Sequence, residues 1–116
     1  MYTIYHNPRC RKSREALQYL EHHGKEVTVV NYLNESLSKS TLKEILDQIE
    51  HQPSQLVRKN EGDWKALANR NLLTEDEILD ILVEYPKVLE RPIVISKDSG
   101  VLARPLENLI SFLDSH

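Results

Sequence analysis

Residues 2–30 leave the chain little topological choice. Tyr2 to Tyr5 is a β-branched and aromatic run suited to a short buried strand, and it leads directly into Asn7-Pro8, a turn signal. Ala16, Leu17 and Leu20 then recur at helical spacing, with Cys10 or Ser13 near the start and Gly24 where a left-handed stop is wanted. Val27 to Val30 is a second β-branched run. The connection holds one helix and little else, so the two strands must lie parallel about it as a βαβ unit.

The middle of the chain reads as helical, an insertion over about residues 38–90. Ser38 is placed to cap a helix carrying Leu42, Ile45, Leu46 and Ile49. Pro53-Ser54 restarts the chain into a shorter helix with Leu56 and Val57 on one face. Thr74 to Glu77 is a capping box opening a helix with Ile78, Leu79, Leu82 and Val83, which Tyr85-Pro86 closes. Ile93 to Ile95 and Val101 to Ala103 flank Lys97-Asp98-Ser99-Gly100, which predicts an antiparallel hairpin with the glycine in its turn. A last helix starts at Pro105, with Leu106, Leu109, Ile110 and Leu113 facing inward. The order β-α-β, helical insertion, β-β-α predicts an α/β chain with a four-stranded mixed sheet on a thioredoxin-like plan.

Length and charge bound the function. At 116 residues the chain is expected to be a single domain, 1–116, and its net charge of −3 argues against a general nucleic-acid binder. No apolar run exceeds three residues, far below the ~20 of a membrane span. The N-terminus shows no basic-then-apolar signal, so the cytoplasm is the expected compartment. One cysteine excludes an internal disulfide.

That cysteine lies in His6-Asn7-Pro8-Arg9-Cys10-Arg11-Lys12-Ser13-Arg14, where an acidic protein gathers positive charge around its only thiol. A free cysteine is commonly a small core residue, but core cysteines have apolar neighbours and this one has arginine on both sides. At a strand-to-helix loop, backbone N–H groups, the helix dipole and nearby cations all favour the thiolate, which is the attacking form. His6 at the strand end and the Ser13 hydroxyl are both expected within reach of the sulfur. Ser13 stands where a dithiol oxidoreductase carries its resolving cysteine, so the second thiol must come from another molecule. His22, His23, His51 and His116 lack metal-ligand spacing, and no metal is expected.

The segment Tyr5 to Arg14, "YHNPRCRKSR", resembles the signature of the glutaredoxin-coupled, ArsC-type arsenate reductases and their short relatives. "NYL" at Asn31 to Leu33, "LVRKNE" at Leu56 to Glu61, "YPKVLERPIVI" at Tyr85 to Ile95 and "ARPLE" at Ala103 to Glu107 extend the resemblance over nearly the whole chain. It implies a thioredoxin-like fold with a helical insertion, a nucleophile at Cys10, an activating histidine at His6, and oxyanion-binding arginines at Arg58, Arg91 and Arg104, with Ser13 and Arg14 in support. Guanidinium forks suit a tetrahedral oxyanion, being bidentate and permanently charged. A cis peptide is expected at Arg91-Pro92. The resemblance further implies arsenate as substrate, no bound cofactor, glutathione as co-substrate, glutaredoxin as the protein that clears the mixed disulfide, and a monomer.

Two alternatives accompany that reading: a thiol oxidoreductase of the same family with another substrate, and a redox-responsive regulator that binds RNA polymerase, as Spx-type regulators do. Ser13 in place of a second cysteine counts against the regulator. The chain departs from the family's enzymes in having Arg11-Lys12 where a small pair, often Gly-Thr, follows the cysteine, and in lacking their longer C-terminal extension.

Overall fold

Strand β1, Tyr2–Tyr5, alternates buried and half-buried residues, as a strand with one face on a core must. The structure, a computed structural model, describes residues 1–97 and 99–115. They fall into two compact units, Met1–Glu35 with Arg91–His116, and Ser36–Glu90.

In the first unit helix α1, Arg11–His22, buries Ser13, Ala16 and Leu20. It ends because Gly24 takes φ 69, which lets Gly24 N–H reach Glu21 O and Lys25 N–H reach Leu20 O at 3.1 and 3.0 Å. This is the Schellman stop, with glycine at the left-handed position. Strand β2, Val27–Val30, then returns parallel to β1, Tyr2 opposite Val27 and Tyr5 opposite Val30. Strand β3, Ile93–Ser96, lies antiparallel on the other side of β1, and β4, Ser99–Leu102, is antiparallel to β3. The sheet order is β2-β1-β3-β4, the thioredoxin-like plan that the sequence predicts. Gly100 is not in the hairpin turn as expected, but in β4 opposite Ile95; Ser96 pairs with Ser99, so β4 starts two residues early. Asp98 of the expected turn lies outside the described residues. Two X-Pro peptides are cis, Arg91-Pro92 as predicted and Arg104-Pro105, which the sequence reading did not anticipate.

The core of this unit joins Tyr2, Ile4 and Val94 from the sheet with Ala16 and Leu20 of α1 and Leu109 and Phe112 of α5, Leu106–Ser115. Phe112 replaces Ile110 as the deeper contact of the last helix. One sheet face is therefore clad by α1 and α5.

The second unit is helical. The helix at Lys39–Gln48, α2, is capped by Ser38, whose hydroxyl accepts from Thr41 N–H, and it buries Leu42, Ile45 and Leu46. A 3₁₀ turn at Pro53–Leu56, a short helix α3 at Gly62–Lys65 and a 3₁₀ turn at Arg70–Leu72 lead to α4, Glu75–Glu84, with the expected Thr74/Glu77 capping box. Its apolar interior includes Leu56, Trp64, Leu79, Leu82, Val88 and Leu89. Val57 and Leu89 form an isolated antiparallel bridge, which fixes the backbone beside Arg58. Among the described residues no helix is long and apolar enough to cross a membrane.

Candidate functional site

Asn7 shapes the loop after β1. It is buried, its Oδ1 accepts Arg9 N–H at 3.0 Å, and its carbonyl accepts Cys10 N–H at 3.0 Å. The sequence marks Asn7 only as a turn former; the signal for its fuller role is its spacing to the serine six residues on, whose hydroxyl receives Asn7 N–H at 3.0 Å. Arg14 folds back so that Nη1 donates to Pro8 O at 3.0 Å. These bonds pin a short loop whose end delivers Cys10 to the N-cap of α1 in an extended conformation, φ −92 and ψ 122.

Ser13 is fully buried one turn into α1, and its Oγ lies 2.6 Å from Nδ1 of buried His6. The expected contacts of His6 and of the Ser13 hydroxyl with the sulfur are thus replaced by a contact with each other. The geometry ties the strand end, the loop and the helix start into one hydrogen-bonded knot. Burial lowers the His6 pKa, the Arg14 charge lowers it further, and Glu21 and the Ser13 contact only partly oppose them. The imidazole is therefore neutral at pH 7.

We expect Ser13→Ala to destabilise the protein by about 2–4 kcal/mol, since His6 Nδ1 and Asn7 N–H would each lose a buried partner at roughly 1–3 kcal/mol. Urea unfolding reads this directly, and a loss below about 1 kcal/mol would show that the knot contributes little.

Cys10 is half-buried and unbonded to another cysteine. Burial alone would raise its pKa, but the N–H groups of Ser13 and Lys12 and the hydrogen bond and charge of Arg91 outweigh it, and the net shift is downward from 9.0. The sulfur makes no capping hydrogen bond, so the helix start acts on it as an ion–dipole field. Arg91 is 8% exposed, and Arg104 approaches from the far end of the chain, its Nη1 3.9 Å from Cys10 Sγ. The first unit thereby gathers Cys10, His6, Ser13, Arg14, Arg91 and Arg104 from the two ends of the chain. A thiolate stabilised by helix-start amides and two guanidinium groups is equipped both to attack and to hold an anion above the sulfur.

Arg58 belongs to the second unit. Its N–H donates to Val88 O at 2.7 Å, and its side chain lies between two carboxylates, Nε 3.3 Å from Glu90 Oε1 and Nη1 3.6 Å from Glu61 Oε2. Of the other histidines, His23 stacks on Tyr19 with centroids 4.0 Å apart and His51 Nδ1 lies 2.7 Å from Ile49 O. Among the described residues no three His, Cys, Asp or Glu side chains cluster in a metal-holding arrangement.

An arsenate reductase of Neisseria meningitidis serogroup A is 38% identical over 112 residues, which is 95% of this chain and 96% of that protein. The uncharacterized protein YfgD of Escherichia coli K12 is 36% identical over 95% of this chain and 94% of its own length. The solved structure of an arsenate reductase from Vibrio cholerae superposes with a TM-score of 0.88 at 35% identity, covering 95% of each chain. The model of the ArsC family matches residues 5–112, and the chain belongs to the ArsC family.

Proposed function

We propose that the protein is a thiol-dependent arsenate reductase that draws its electrons from glutathione and glutaredoxin. The observation that carries this reading is the Cys10 sulfur itself: its pKa is lowered, its helix-start amides face it, and Arg91 and Arg104 reach it within one compact unit. The identity to named arsenate reductases supports the same substrate.

In this mechanism arsenate is held by Arg91 and Arg104 and by the Lys12 and Ser13 amides. The Cys10 thiolate attacks arsenic(V), a sulfur–arsenic bond forms, and one arsenate oxygen leaves as water with protons from solvent. Charge on the remaining oxygens is met by donors already in place. A glutathione thiolate then attacks the Cys10 sulfur, the sulfur–arsenic bond breaks, and its electron pair stays on arsenic, which departs as arsenite. Two thiols have been oxidised to a Cys10–glutathione disulfide and arsenic has gained two electrons. Glutaredoxin takes the glutathione by thiol–disulfide exchange and regenerates Cys10. The protein works as a cytoplasmic monomer.

The test is arsenate-dependent NADPH oxidation in the presence of glutathione, glutaredoxin and glutathione reductase. Saturable turnover is expected. Absence of turnover at millimolar arsenate would sink the arsenate reading, and a fast-labelling Cys10 in the same preparation would direct attention to another oxidised substrate.

A further inference from the structure

Glu15, one turn into α1, spans two exposed cations. Its Oε1 is 3.7 Å from Arg11 Nε and its Oε2 3.9 Å from Lys12 Nζ. Both separations exceed hydrogen-bond length and the Arg11 side chain is 85% exposed, so each pairing is weak and screened. What Lys12 contributes to the thiolate is its backbone N–H, which leaves the two side chains without an assigned part in the chemistry. They follow Cys10 directly in sequence, and exposed Arg9 precedes it. Positive charge thus continues outward from the sulfur: an inner tier of buried Arg91 and of Arg104, and an outer tier in water.

The second thiol comes from another molecule and reaches half-buried Cys10 from the solvent. One carboxylate already shows that the Arg11–Lys12 pair can be bridged by a single acidic group, held loosely enough to be exchanged. We propose that Arg11 and Lys12 form a carboxylate-binding pair that selects a small, carboxylate-bearing thiol as the second thiol of the reaction, with Glu15 as the internal carboxylate it displaces. The inference rests on the thiol chemistry proposed for Cys10, and not on arsenate being its oxidant. A carboxylate bound there brings its own sulfur toward Cys10 and raises its local concentration. A neutral thiol gains nothing from the pair.

The experiment runs the exchange in reverse on the full chain. The Cys10 thiolate attacks one sulfur of a disulfide, the sulfur–sulfur bond breaks, the mixed disulfide forms and the other half leaves as thiolate. Second-order rates are measured with glutathione disulfide, which bears carboxylates, and with bis(2-hydroxyethyl) disulfide, which is neutral, and their ratio is taken so that changes in Cys10 reactivity cancel. The ratio should fall about three- to tenfold in the double variant Arg11→Gln, Lys12→Gln, as expected for two exposed pairings. It should rise about twofold in Glu15→Gln, and fall with added salt in the unaltered protein. An unchanged ratio in the double variant, or one that stays level or falls in Glu15→Gln, overturns the inference. The expected ratios in a protein without arsenate turnover would uphold the carboxylate pair while removing arsenate as the substrate.

Discussion

Cys10→Ser is expected to lower arsenate-dependent turnover by at least about a thousandfold, the scale seen when a covalent nucleophile is removed. The amides and guanidinium groups that lower a thiol's pKa cannot ionise a hydroxyl at neutral pH, and no disulfide can form at oxygen. The same substitution should leave the fold as stable or raise its stability by about 0.5–1 kcal/mol, because serine is a strong N-cap. Cys10 occupies that N-cap in a suitable extended conformation without making a side-chain cap bond. Activity and stability would then move in opposite directions, read by turnover and by thermal unfolding. Turnover within tenfold of the unaltered protein would remove Cys10 from the chemistry.

Arg91→Gln is the second large effect: a loss of about 10²–10³ in kcat/KM for arsenate, as for removal of a fixed oxyanion donor, and an upward move of the Cys10 pKa. The sign follows from the causes. Burial pushes the thiol up, and removing Arg91 leaves the helix-start amides and the more distant Arg104 to oppose it. Iodoacetamide labelling against pH should inflect below 9.0 in the unaltered protein and at higher pH in the variant. By linkage, a depressed native thiol pKa stabilises the fold above the unfolded value, and that contribution is lost as pH falls through the native value. The variant loses the Arg91 share of it above the native value and nothing below. Arg91→Lys should keep part of the pKa shift, retaining the charge, but little of the arsenate binding that a planar fork supplies. An unmoved inflection in Arg91→Gln would show that the amides and Arg104 set the thiolate without Arg91.

Much of this was legible in the chain because the decisive signals are local. The βαβ unit follows from residues that each settle their own backbone: the β-branched runs at Tyr2–Tyr5 and Val27–Val30, and Gly24 at its left-handed stop. Capping at Ser38 and Thr74 is equally local. What was missed depends on partners. Helix α2 ends with Glu50 at φ 59, and Lys97 sits at φ 55, both in the left-handed region without being glycine; the first is held by His51 N–H to Leu46 O, a closure no propensity announces. Gly100 read as a turn residue, but the Ser96–Ser99 pairing moved it into the strand. At the site, the sequence brought forward Cys10, His6 and Ser13 but not who bonds to whom, since the hydroxyl's partners are decided only when His6, Asn7 and Ser13 are buried together.

The contact between Arg104 and Cys10 joins residues 94 positions apart, and that separation bears on how the protein is made. Before the fold forms, the thiol has the ordinary cysteine pKa of about 8.5 and is mostly protonated at neutral pH. Arg91 and Arg104 are synthesised long after Cys10, so the guanidinium share of the stabilisation is added to that of the helix-start amides only once the sheet is complete. Nascent and misfolded chains therefore carry a comparatively inert thiol, and susceptibility to oxidation becomes a property acquired on folding.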